Sequence, residues 1–145
     1  MIKSLILVSL ITFSVPLIVL AVNDGVFESS SRRTLGYVRE NGTIEDASRR
    51  TIGYFKENGT VENSSRRTLG YIKSNGTVED ASRRTLGYIK SDGTIENSSR
   101  RTIGYIKENG TVEDRSRRTL GYAKETGREI AAAFFFFFFT EQANK

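Results

Sequence analysis

The heptapeptide Ser31-Arg32-Arg33-Thr34-Leu35-Gly36-Tyr37 returns at Ser48, Ser65, Ser82, Ser99 and Ser116, always seventeen residues further on. Near-identical units must take near-identical local structures and bury their apolar faces against one another. The consensus, S-R-R-T-[LI]-G-Y-x-[KR]-x-[ND]-G-T-[VI]-E-[DN]-x, carries its own hairpin signal. Asn41-Gly42, Asn58-Gly59, Asn75-Gly76, Asp92-Gly93 and Asn109-Gly110 are dipeptides that tolerate positive φ at both central positions of a type I′ turn. Alternation along the strand before each turn sets Leu35 and Tyr37 on one face and Thr34, Gly36 and Val38 on the other. Asp-Ala-Ser, Asn-Ser-Ser or Asp-Arg-Ser supplies a polar turn at the opposite end of each unit. The expected product is an up-and-down antiparallel meander.

The two ends of the array decide how it finishes. Asp24-Gly25-Val26-Phe27-Glu28 matches Asn41-Gly42-Thr43-Ile44-Glu45, so the array opens on the second half of a unit, and residues 116–124 close it on a first half. Pairing these halves completes a sixth hairpin and removes both exposed edges. We therefore expect an all-β, closed, up-and-down antiparallel barrel of about twelve short strands. An open hairpin solenoid tolerates the same half-units without needing them.

Two apolar blocks flank the repeats. After Met1-Ile2-Lys3, residues 4–22 carry no charge, which fits a secretory signal peptide with cleavage after Ala21, or an uncleaved N-terminal anchor. Either reading exports residues 23 onward to the periplasm, cell envelope or exterior, with the repeat barrel assigned to residues 23–128. At the other end, Ile130 and Ala131-Ala132-Ala133 lead into Phe134, Phe135, Phe136, Phe137, Phe138 and Phe139, followed by a polar tail over residues 140–145. Left in water such a run is an aggregation site. A barrel of more than about eight strands has a lumen to fill, so residues 129–139 are expected as a hydrophobic helix plugging the axis. The glycines Gly36, Gly53, Gly70, Gly87, Gly104 and Gly121 either face inward to admit the Phe rings or relieve strand bending at barrel corners. A third arrangement inserts the Phe block into a bilayer or a partner.

The repeated G-Y-[IV]-K-x-[ND]-G-T-[IV]-E-[DN] hairpin with the terminal Ala-Ala-Ala-Phe-Phe-Phe block resembles the beta-flower proteins, over residues 24–139. That resemblance implies a shallow symmetric barrel of hairpin petals around a hydrophobic centre, in a family described as four-fold or five-fold. The barrel with a central apolar helix also resembles the tubby C-terminal domain, which implies a role at phosphoinositides or other membrane lipids.

The chain has no Cys and no His, which removes disulfides, Cys/His zinc sites, thiol nucleophiles and Ser-His-Asp triads. Its carboxylates recur identically in each unit, whereas acid–base catalysis needs groups in different environments, so we expect no enzyme, no metal and no cofactor. The arginine pairs Arg32/Arg33, Arg49/Arg50, Arg66/Arg67, Arg83/Arg84, Arg100/Arg101 and Arg117/Arg118 should ring one rim of the barrel. Such a ring could take anionic lipid or another polyanion. Against this, Glu45-Asp46, Glu62, Glu79-Asp80, Glu96 and Glu113-Asp114 could neutralise the arginines across strands, and the net charge of +5 falls to +4 once Lys3 is removed. Nucleic acid is the least favoured partner. A second ring, Tyr37, Tyr54, Tyr71, Tyr88, Tyr105 and Tyr122, runs alongside Leu35, Ile52, Leu69, Leu86, Ile103 and Leu120; it serves either packing or glycan contact. The expected function is that of a non-enzymatic, exported structural or binding protein of the cell envelope. The alternative is a secreted glycan- or cell-wall-binding module.

Overall fold

The computed structural model describes residues 24–145; the expected signal or anchor segment lies outside them. Twelve strands follow in chain order: β1 (Gly25–Ser29), β2 (Thr34–Val38), β3 (Thr43–Asp46), β4 (Thr51–Phe55), β5 (Thr60–Asn63), β6 (Thr68–Ile72), β7 (Thr77–Asp80), β8 (Thr85–Ile89), β9 (Thr94–Asn97), β10 (Thr102–Ile106), β11 (Thr111–Asp114) and β12 (Thr119–Lys124). Each pairs with its sequence neighbours, and β1 pairs antiparallel with β12 through Phe27 opposite Ala123, so the barrel closes as the half-units require. The closing pair makes a sixth hairpin unit without a connecting turn.

The glycine turns differ from the expected type I′. Only the glycines take positive φ, between 87° and 91°, and none of the residues before them does. The N–H of Gly42 donates to the Arg39 carbonyl (2.9 Å) and that of Arg39 to the Thr43 carbonyl (2.8 Å), leaving a three-residue loop, Glu40 to Gly42. This is a type I turn followed by a left-handed residue. It wins because Asn41 Oδ1 accepts the Thr43 N–H at 3.0 Å, which holds the Asn in an ordinary conformation.

A second departure concerns the aliphatic ring. Phe27 pairs with Gly36 and Glu28 with Thr34, so Leu35 is skipped by the ladder, and Ile52, Leu69, Leu86, Ile103 and Leu120 are skipped in the same way. Every unit thus carries a β-bulge, which re-aims a side chain. Leu35 is buried, and Ile52, Leu69, Leu86 and Ile103 are half-buried against the apolar core rather than standing with the tyrosines, while Leu120 is the exception at 37 % exposed.

The interior is layered. Phe27, Ile44, Val61, Val78, Ile95 and Val112 form a ring with no exposure at all. The C-terminal segment fills the lumen as a short helix α1 (Arg128–Ala132), a π-helical turn (Ala133–Phe137) and a last turn α2 (Thr140–Ala143), in place of one continuous α-helix. It enters at the glycine-turn rim, where Arg128 donates to the Ser91 carbonyl at 2.7 Å. It leaves at the arginine rim, where Arg33 donates to the main-chain oxygen of Lys145 at 3.0 Å.

The widened turn has a geometric cause. An α-helix of 3.6 residues per turn stacks i and i+4 on one side and cannot serve six sites around one circle. Here Phe138 and Phe139 both donate to the Ala133 carbonyl, at 2.8 and 3.2 Å, and six successive rings spread around the lumen. A Cβ on Gly36 would meet the ring of Phe134, one on Gly121 that of Phe135, and Gly104, Gly87, Gly70 and Gly53 take Phe136, Phe137, Phe138 and Phe139 in turn. The same Cβ would strike the carbonyl of the neighbouring strand, Glu45 for Gly36 or Glu96 for Gly87. The glycines therefore face inward and admit the rings, and the lack of a Cβ also clears the carbonyl of the hairpin partner strand.

Candidate functional site

The Ser-Arg-Arg turns share the geometry of the glycine turns with an arginine in the glycine's place. The N–H of Arg49 donates to the Asp46 carbonyl (3.0 Å), and Arg32, Arg49, Arg66, Arg83, Arg100 and Arg117 sit at φ between 64° and 69°. The left-handed region costs a residue with a Cβ roughly 1–2 kcal/mol. What holds it is the side chain.

Each of these first arginines lies flat on the outer wall. Arg66 donates to Glu62 at 3.2 Å and its guanidinium carbon stands 3.5 Å above the ring of Tyr54. The same pairing joins Arg32 to Glu28 and Tyr122, Arg49 to Glu45 and Tyr37, Arg83 to Glu79 and Tyr71, Arg100 to Glu96 and Tyr88, and Arg117 to Glu113 and Tyr105. Five of the glutamates meet a second cation at or just past the end of the strand paired with them, as Lys124 meets Glu28 at 2.8 Å. That lysine, and then Arg32, holds the Glu28 carboxyl below its usual range against the opposing effect of burial. One face of each expected tyrosine is thus covered by a guanidinium, and six of the twelve expected rim arginines are wall residues.

The second arginines divide by what precedes them. Asp46, Asp80 and Asp114 accept the Nε–H of Arg50, Arg84 and Arg118 at 3.0, 2.8 and 3.0 Å. In Asp80 and Asp114 the N–H of the following arginine and then its guanidinium lower the carboxyl pKa; in Asp46 burial opposes the same hydrogen bonds and they prevail. Neutralisation of the second arginines at these three turns runs within a turn, four residues on, while at the first of them Arg49 also reaches Asp24 across the wall at 3.3 Å.

At the alternate turns Asn63 and Asn97 replace aspartate. Their Oδ1 atoms accept the same two backbone N–H groups, Ser65 and Arg67 or Ser99 and Arg101, so the turn is preserved and the charge is not. Ser29 stands at the third alternate position, and Arg115 adds a cation where the other turns have Ser30, Ala47, Ser64, Ala81 or Ser98. Among the described residues Arg67, Arg101 and Arg115 have no acidic partner and are exposed, while Arg33 is taken up by the main-chain oxygen of Lys145. Sequence reasoning passed over this alternation, although it is written in the chain as Asp46, Asn63, Asp80, Asn97, Asp114, a period of two units.

Inside the arginine rim lies the mouth bordered by Leu35 and its counterparts, with α2 across it and Leu120 exposed. The opposite mouth holds an open cavity of about 890 Å³ beside α1, bordered by Ile106, Ala123, Thr126 and charges of both signs such as Lys107 and Glu129. Ala123 leaves it room, because Val38, Phe55, Ile72, Ile89 and Ile106 occupy that position in the other units. The expected plug residues Ile130 and Phe134 to Phe139 all belong to the core or pack on it.

A family model described as a 5-fold beta-flower protein matches residues 24–139, most of the chain. Here the barrel closes on six hairpin units rather than five. No curated protein and no solved structure matches the chain, so the likeness to tubby domains gains no support from a structural neighbour.

Proposed function

We propose that the chain, which belongs to the beta-flower family, is a non-enzymatic binding protein of the cell envelope that is exported and attaches by its arginine rim to an anionic surface. The observation that carries this reading is the placement of all six Ser-Arg-Arg turns on one rim, around a mouth bordered by Leu35, its aliphatic counterparts and the exposed Leu120. Cations surrounding apolar groups suit an anionic membrane interface, where each basic residue near the surface adds attraction and the apolar groups meet the acyl boundary. Export is read from the uncharged residues 4–22 behind Lys3. A non-enzymatic role agrees with glutamates that each face the same first arginine in every unit, whereas acid–base catalysis needs groups in different environments.

Flotation with phosphatidylglycerol vesicles, against phosphatidylcholine vesicles, tests the reading at low and high salt. Binding to the anionic vesicles that salt abolishes supports it, since exposed charges are screened. Equal recovery with both lipids sinks it. The second reading, a glycan-binding module, draws on six half-exposed tyrosines spaced evenly around the wall. Salt-insensitive retention on insoluble polysaccharide would favour it.

A further inference from the structure

We infer that the arginine rim docks on anionic lipid through the arginines left without a carboxylate: Arg67 and Arg101 in the asparagine turns, with Arg115 beside the Asp114 turn, bind headgroup phosphates, whereas Arg50, Arg84 and Arg118 are spent on the turn carboxylates. This rests on the membrane reading above and says which residues carry it. A guanidinium already engaged by a carboxylate offers little net charge to a second anion, while an exposed one can grip phosphate through two parallel N–H donors. Arg50, Arg84 and Arg118 have their Nε–H on Asp46, Asp80 and Asp114, and Arg67 and Arg101 stand beside neutral Asn63 and Asn97 in turns of the same shape. Arg33 is excluded from this set because its guanidinium already holds the Lys145 oxygen where α2 ends. Adjacent units are two strand spacings apart, about 10 Å, so the asparagine turns of Arg67 and Arg101 stand with the paired Asp80 turn between them. The exposed Leu120 and the half-buried Ile52, Leu69, Leu86 and Ile103, which border the polar α2, add apolar groups beside these arginines and favour a bilayer over a soluble polyanion.

The chain supplies its own test, because Asp and Asn already alternate at these turns without changing them. Three variants of residues 24–145, which contain every strand and the plug, are compared with the wild-type sequence on phosphatidylglycerol vesicles. Asn63→Asp with Asn97→Asp should weaken binding by about twenty-fold, and Asp46→Asn with Asp80→Asn and Asp114→Asn should tighten it by at least as much, at about five-fold per arginine neutralised or released. Asn58→Asp with Asn75→Asp makes the same charge change at the opposite rim, where Asp92 is native, and should stay within about two-fold of wild type because the effect fades within a Debye length. An equal loss in this control overturns the inference in favour of overall charge. Unchanged binding by the Asn63/Asn97 variant overturns it while leaving the membrane reading intact. Failure of the wild-type sequence to bind overturns both.

Discussion

The guanidinium of Arg66 rests 3.5 Å above the ring of Tyr54, twelve residues earlier in the chain, while its own backbone is held at a φ of 66°. Strain in the turn and attraction on the wall are coupled in one residue. Replacing Arg66 by alanine keeps the strain and loses both the stacking and the Glu62 ion pair; replacing it by glycine loses the same contacts but removes the strain. Arg66→Gly should therefore be more stable than Arg66→Ala by about 1 kcal/mol in denaturant unfolding. Equal stabilities would mean that the left-handed turn is not strained in solution.

Gly87→Ala should destabilise the barrel by about 1–3 kcal/mol, the usual cost of overpacking. Its Cβ would meet both the carbonyl of Glu96 and the ring of Phe137, the latter at 2.8 Å, and only the ring can give way. Combining Gly87→Ala with Phe137→Leu should recover only part of the loss. Full recovery would show that the Glu96 carbonyl is not a constraint.

Among the six plug residues, Phe134 should matter most. It is fully buried and stacks on Phe27 with ring centres 3.9 Å apart, whereas Phe137 is partly exposed. Phe134→Ala should cost about 3–5 kcal/mol and Phe137→Ala clearly less. In hydrogen exchange the amides of Phe138 and Phe139, both bonded to the Ala133 carbonyl, should be protected in the monomer. Fast exchange there would contradict a plugged barrel.

The lowered carboxyls set the acid limit. Glu28, Asp46, Asp80, Asp92 and Asp114 all have folded pKa values below their usual ones. Each binds protons more readily when unfolded, so its stabilisation is complete above the ordinary carboxylate pKa and is lost as pH falls through the lowered folded value. The melting temperature should hold from neutral pH down to about 5 and fall below about 4. Asp46→Asn with Asp80→Asn and Asp114→Asn should flatten that fall, since the asparagine turns do not titrate. An unchanged acid limb would place the limit elsewhere.

How far the sequence could be read follows from the range of each interaction. Strand order, closure and the plug follow from periodicity and from the half-units at Gly25 and Thr119, because pairing in a repeat is dictated by what precedes and follows each unit. The outward tyrosines follow from alternation, but Leu35 does not. A bulge against β1 breaks the period of two at Leu35, and alternation alone gives no sign of it. The turn type was decided by the Asn41 side chain bonding its own backbone, a local competition that an Asn-Gly dipeptide does not settle. At the rim, the arginines were visible and their division was not, because attention to the consensus hides a difference that recurs every second unit. Asp46 and Asn63 look interchangeable in a consensus and differ by a full charge.

The one-to-one seating of Phe134 to Phe139 on six strand glycines makes the tail a gauge of the barrel's circumference. Tandem duplication can add a seventeen-residue unit in one step, but a wider ring would then face a tail one aromatic short, with a glycine-lined gap in its centre. Loss of a unit would crowd the same tail. Repeat number and phenylalanine number are therefore not free to drift apart, and relatives of other symmetry should carry tails whose length changes in step with their count of hairpins.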